Sequence, residues 1–249
     1  MNYTENFTEV RQDEKDISKE SSNLNIIIPF RDRDEHLEAY LKNMVPVFEE
    51  QKINYKIFII EQSYKQKSFN KAKINNIGFL EATKSNNFNR FLFNDVDNYP
   101  IKKNFIDFKL PIKGIHHLFG QPHCLGGIYF ISKTIFQEIN GYSNEYYGWG
   151  GEDVDLQVRA ELYNIKINRD TFVDRRNNNH YFDDISSSPN SKHKSKIIRA
   201  NKKHIKIPLY KKDRNNIQKD GLNTCTYKIV KEQNNYNNNP NIKRILVDI

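Results

Sequence analysis

Leu24-Asn25-Ile26-Ile27-Ile28-Pro29 is a short β-branched run that stops at a proline, the profile of a buried strand. Residues 34–51 carry Leu37, Tyr40, Leu41 and Met44 at helical spacing, with a break expected at Pro46. Residues 55–60 return to a strand, 69–82 read as a helix, and 90–93 as another short apolar strand. Strand, helix, strand, helix, strand is the order of a parallel sheet covered by helices. It favours a nucleotide-binding α/β fold, whose ligand lies at the carboxyl ends of the strands.

Beyond residue 100 the pattern is less regular. Gly126-Gly127 leads into the apolar run 128–131, Ser132 is a plausible N-cap for a helix through Ile139, and Asn140-Gly141 ends it. Residues 152–163 read as a further helix. The stretch 177–212 is rich in Asn, Ser, Lys and His, as a long mobile loop or an insertion would be. Order returns at 225–230 and 245–249. The expected organisation is a disordered polar tail over 1–22 and a single domain over 23–249, with a mobile loop at about 177–206.

The 249 residues carry 39 Lys+Arg against 31 Asp+Glu, a net charge of +8, with a pI near 9.2 and a mean hydropathy of −0.82. Such a hydropathy suits a disordered chain, but 12% aromatic residues do not. Two cysteines, Cys124 and Cys225, exclude a multi-bridge disulfide module. No apolar run reaches the roughly 18 residues of a membrane span, and the first residues lack the features of a signal peptide. The expectation is a cytoplasmic or otherwise intracellular protein. The basic excess fits nucleic acid, an anionic surface or a phosphorylated small molecule.

Four segments carry chemistry. Asp95-Val96-Asp97 follows the strand at 90–93, where two carboxylates can hold a hard divalent cation, although a plain turn uses the same residues. Tyr147-Gly148-Trp149-Gly150-Gly151-Glu152-Asp153-Val154-Asp155 sets the only Trp among three glycines, ahead of an acidic first helical turn. Aromatic faces beside carboxylates suit a sugar. Pro29-Phe30-Arg31-Asp32-Arg33 puts two arginines past the first strand, in reach of a diphosphate, or else forms a solvated loop. His180 follows Asn177-Asn178-Asn179, and a lone His is more often structural than a ligand. No P-loop, GxGxxG or CxxC is present.

In this order, the segments resemble the β-1,4-galactosyltransferase family, glycosyltransferase family 7. The likeness includes residues 28–37, Phe69-Asn70-Lys71-Ala72-Lys73, Asn76-Ile77-Gly78-Phe79, Asp95-Val96-Asp97, Gly126-Gly127, Ile139-Asn140-Gly141-Tyr142 and residues 147–155. It continues through Asp220-Gly221-Leu222-Asn223-Thr224-Cys225-Thr226-Tyr227 to Val247-Asp248. The resemblance implies a GT-A nucleotide-sugar-binding fold, with a mixed, mostly parallel sheet flanked by helices, and a need for Mn²⁺. It implies Asp97 and His180 as metal ligands, and Phe30, Arg31, Arg33, Phe69, Asp95, Gly127, Trp149, Glu152 and Cys124 around a UDP-sugar. Trp149, Gly151, Asp153 and Asp155 would meet a carbohydrate or glycoconjugate acceptor, and Asp153 would be the catalytic base.

Departures from the family pattern are Asn177 where a Met can ligate the metal, and Val154 where many members have Asp. A third is Cys124, where strict galactosyltransferases hold a Tyr against the donor sugar, so N-acetylgalactosamine is an expected second donor. The function implied is an inverting, metal-dependent transfer of galactose from UDP to a sugar hydroxyl. The rival is a non-catalytic basic module for glycan or nucleic acid, carried by Lys192, Lys194, Lys196, Arg199, Lys202, Lys203 and Lys206. Retention of Asp97, Asp153 and His180 weighs against it.

Overall fold

The computed structural model describes residues 22–103, 105–110, 112–148, 150–177 and 213–249, together with the backbone of 182–184. Five helices are described: α1 (Asp34–Glu50), α2 (Lys71–Ser85), α3 (Lys133–Glu138), α4 (Glu152–Leu162) and α5 (Arg214–Ile217). Among the described residues the main sheet has nine strands. Eight run in the order β10 (Lys228–Gln233), β11 (Ile242–Asp248), β2 (Asn54–Gln62), β1 (Asn23–Phe30), β3 (Arg90–Asn94), β6 (Ile128–Ser132), β5 (Ile115–Gly120) and β7 (Ile167–Asn168). The ninth, β8 (Val173–Asp174), pairs with β5. A separate two-stranded ladder joins β4 (Asn98–Pro100) to β9 (Phe182–Asp184).

Pairings β11–β2, β2–β1 and β1–β3 are parallel, whereas β3–β6, β6–β5 and β10–β11 are antiparallel. The sheet is therefore mixed, as expected. Residues alternate across it with the two-residue period of a strand. Ile26, Ile28, Ile57 and Ile59 join the core beneath α1, while Ile27, Phe58 and Ile60 join the core that includes residues of α2, α3 and α4. Both faces are covered, which is why these strands read as unbroken apolar runs.

Local signals explain most boundaries. Asn70 caps α2 by accepting from the Lys73 amide, and Ser132 caps α3 by accepting from Ile135. Pro46 does not break α1, contrary to expectation: the helix runs on to Glu50. The hydrogen bond it removes belongs to Lys42, on the exposed side, and burial of Met44, Val47 and Phe48 offsets the roughly 3 kcal/mol cost of an internal proline.

Candidate active site

The carboxyl ends of β1 and β3 and the first turns of α2 and α4 meet in one place. Lys71, the first residue of α2, sends its ammonium to 2.9 Å from Asp153 Oδ2, 3.2 Å from Asp95 Oδ1 and 3.6 Å from Glu152 Oε1. Burial pulls the Lys71 pKa down, but Asp153, Asp95 and Glu152 outweigh it and hold the ammonium charged. Three carboxylates face one cation.

Asp153 is strongly perturbed. Burial raises its pKa above the ordinary carboxylate range; Lys71 opposes this, and Glu152 and Asp95 add to it. Its Oδ2 is held by Lys71, while Oδ1 is buried with no hydrogen-bond partner among the described residues. A buried carboxylate oxygen left unpaired is costly, so it marks a place for an incoming donor. The strip at 125–127 fixes this aspartate. Leu125 N–H donates to the Asp153 carbonyl at 3.0 Å, and Asp95 N–H donates to the Gly127 carbonyl at 3.0 Å. A side chain at 126 would place its Cβ 2.3 Å from Asp153 Oδ2, which explains the glycine there.

Asp97 lies beside this cluster, in the turn after β3, where Asn98 N–H donates back to the Asp95 carbonyl. Its buried carboxylate accepts from Arg33 Nη1 at 2.7 Å. Arg31 folds the other way. It donates to the carbonyls of Gln66 and Lys67 at 3.1 and 3.3 Å, and its guanidinium lies 5.5 Å from the ring centre of Phe69 and 6.0 Å from that of Tyr64. The Phe69 carbonyl also accepts from Gly148 N–H at 2.7 Å. The acidic pocket and the hard oxygens of Asp95 and Asp97 fit a divalent cation of the Mg²⁺ or Mn²⁺ kind. Among the described residues no set of three or more His, Cys, Asp or Glu is arranged for a metal. Asp95 and Asp97 bring the described carboxylate oxygens to that place, and each is engaged by a cation, Lys71 and Arg33 respectively.

Several expected residues sit elsewhere. Asp155 is fully buried and turned inward, accepting from Arg159 Nε at 2.8 Å and Tyr146 OH at 3.3 Å. It staples α4 to the body and cannot meet an acceptor. Phe30 is also a core side chain, packed beneath α1 with the Arg244 guanidinium 4.8 Å over its ring. Cys124 is buried near Asp153, with burial pushing its thiol up to about 11. Gly151 caps α4 with φ of 99°. Trp149, His180, the lysine cluster at 192–206 and the tail at 1–21 lie outside the described residues.

Lys71 was not singled out in the sequence, although a signal existed. A lysine at a helix N-terminus opposes the macrodipole, and such a placement calls for nearby anions.

A sheet of mixed direction with acidic residues clustered at its strand ends is the GT-A arrangement of glycosyltransferases, and the solved structures agree. A mutant of Drosophila β-1,4-galactosyltransferase 7, complexed with manganese, UDP-Gal and xylobiose, is 25% identical with a TM-score of 0.75, over 91% of this chain and 94% of that one. The catalytic domain of the same enzyme complexed with xylobiose gives a TM-score of 0.71 at 26% identity, again over 91% and 94%. Residues 10–106 match the N-terminal region of glycosyl transferase group 7, and 110–183 match the family described as the N-terminal domain of galactosyltransferase. The chain belongs to glycosyltransferase family 7. Bovine β-1,4-galactosyltransferase 1 is 32% identical over 237 residues, covering 90% of this chain and 54% of the relative. Human β-1,4-galactosyltransferase 4 is 38% identical over 153 residues, covering 58% and 44%. The chain thus spans about half the length of the curated relatives it matches.

Proposed function

We propose that this protein is a metal-dependent inverting glycosyltransferase that moves galactose from UDP-galactose to a sugar hydroxyl. The observation that carries this reading is the unpartnered, buried Oδ1 of Asp153. It faces an acidic pocket that also contains Asp95 and Glu152, at the strand ends where a GT-A fold takes its donor.

In this reading Asp153 accepts the proton of the acceptor hydroxyl as that oxygen attacks the anomeric carbon. A raised pKa suits the task, because a general base works best when its pKa approaches the working pH. Lys71 holds the other oxygen, so that Oδ1 remains aimed at the acceptor. Asp97, with His180 as a second candidate, would hold the manganese ion, which when bound offsets the charge that grows on the departing diphosphate. Arg33, released from Asp97, is in reach of that diphosphate, and Arg31 with Phe69 forms a cationic and aromatic surface for the base. Glu152 contacts the donor sugar. Attack from the face opposite the leaving group, with one base, inverts the configuration, as in the single-displacement hydrolases.

The test is UDP release from UDP-galactose and UDP-N-acetylgalactosamine with Mn²⁺, against a panel of monosaccharide and disaccharide acceptors that includes xylobiose. Acceptor-dependent UDP release that EDTA abolishes supports the reading. No release with any acceptor, from a folded protein, refutes it.

A further inference from the structure

His117 and Arg169 belong to none of the motifs above, and among the described residues no bond joins either to the carboxylate cluster directly. His117 is buried on β5, one strand away from the site. Its Nε2 lies 2.9 Å from the Gly126 carbonyl oxygen, and Arg169 Nε lies 3.1 Å from its Nδ1. A guanidinium nitrogen can only donate, so Nδ1 is the acceptor and the ring proton resides on Nε2, aimed at Gly126. Arg169 is itself held, donating from Nη2 to Gln157 Oε1 at 2.9 Å. Phe172 completes the cluster, its ring 4.6 Å from the imidazole and 5.7 Å from the guanidinium.

Gly126 is where this cluster meets the site. Its α-carbon lies against the Asp153 carboxylate, closely enough that a Cβ would collide with Oδ2. Its neighbours bond to the backbone of Asp153 and of Asp95. Were the proton on Nδ1 instead, the Nε2 lone pair would face the Gly126 oxygen, and the strip would be pushed away from β5.

We infer that His117, with its tautomer fixed by Arg169, is a positioning residue that sets the Gly126–Gly127 strip and through it the Asp153 carboxylate. The inference rests on Asp153 being the base. A displacement of about 1 Å at a reacting group costs on the order of 100-fold in rate, so a remote hydrogen bond of this kind has leverage on turnover.

The experiment pairs a spectrum with kinetics on the full chain. Histidine ¹⁵N spectra, assigned with His117→Phe, are expected to show the Nε2–H tautomer in the wild type and a mixture of tautomers in Arg169→Gln. In the Mn²⁺ and UDP-galactose assay, His117→Phe and Arg169→Gln are expected to lose about 10- to 100-fold in kcat, with KM for UDP-galactose within about threefold. His117→Gln, whose amide can donate to the Gly126 carbonyl, is expected to recover part of that loss. An Nδ1–H tautomer in the wild type overturns the proposal, as does unchanged kcat in both variants. A loss that tracks thermal stability and is not rescued by His117→Gln assigns a purely structural role and overturns it too. Normal turnover by Asp153→Asn instead overturns the base reading, and the spectrum, which needs no donor, tells the two failures apart.

Discussion

The ammonium of Lys71 stands 2.9 Å from Asp153 Oδ2, so a single cation ties the start of α2 to the start of α4. Lys71→Met removes it and leaves Asp95, Glu152 and Asp153 facing one another. The pair is only partly buried, and breaking it from one side costs up to about 3–5 kcal/mol, the range of a fully buried pair. Urea denaturation is expected to show a loss of that size, with Lys71→Arg retaining most of the stability. Wild-type stability in Lys71→Met would mean that the carboxylates protonate at no cost.

Asp153→Asn is expected to keep donor binding and to lose at least about 100-fold in kcat, the low end for a missing general base. Because burial raises the Asp153 pKa and the ionised form is the base, kcat/KM of the wild type rises with pH. Its acid limb is expected well above about pH 4, where an ordinary aspartate titrates. That limb disappears in the variant, as a pH–rate profile will show.

On the proposed reading, in which Asp97 holds the manganese ion, Asp97→Ala is expected to abolish metal-dependent binding of UDP-galactose. Titration calorimetry with and without EDTA measures this directly. Metal-dependent donor affinity retained by Asp97→Ala would exclude Asp97 from metal binding.

For Asp155 the expected loss is in stability and not in acceptor affinity. Asp155→Asn disturbs the buried pair with Arg159 and is expected to cost about 3–5 kcal/mol, while KM for the acceptor stays within about twofold. Thermal melts and acceptor kinetics on the same preparation separate the two.

His117 gives a pH dependence of folding. Burial, with Arg169 adding to it, lowers its pKa from 6.5 to about 4, against the hydrogen bond to Gly126. Between those values the unfolded chain binds a proton that the folded chain excludes, so stability rises with pH over that window. The gain attributable to this residue is about 3 kcal/mol. The difference in unfolding free energy between wild type and His117→Phe, measured from about pH 4 to 7, is expected to grow by that amount. A constant difference would place the titration elsewhere.

Much of the first half of the fold is legible because β1, β2 and β3 are buried on both faces, which forces unbroken apolar runs such as Ile26-Ile27-Ile28. The caps at Asn70 and Ser132 are equally local. By contrast β5 reads Ile115-His116-His117-Leu118-Phe119-Gly120, and its two histidines hide a strand that depends on its partners, β6 and β7. Asp155 shows the limit for the site. An acidic first turn looks the same whether a carboxylate faces a ligand or, as here, an arginine one turn along. Lys71 meets Asp95 and Asp153 across 24 and 82 positions of sequence, and its place at a helix N-terminus calls for anions without telling which carboxylates supply them.

The insertion of β11 between β2 and β10 has a consequence for biosynthesis. Lys56, in β2, and Asn241, at the entry to β11, are hydrogen bonded across 185 positions of sequence. At about 5–20 residues per second, a ribosome makes the first roughly 10–40 s before the second. Throughout that interval the outer edge of β2 has its amides and carbonyls unpaired along Ile57, Phe58, Ile59 and Ile60, a run well suited to adding a foreign strand. The edge of β2 therefore stays open until β11 arrives, and only that pairing closes the apolar run to a foreign strand.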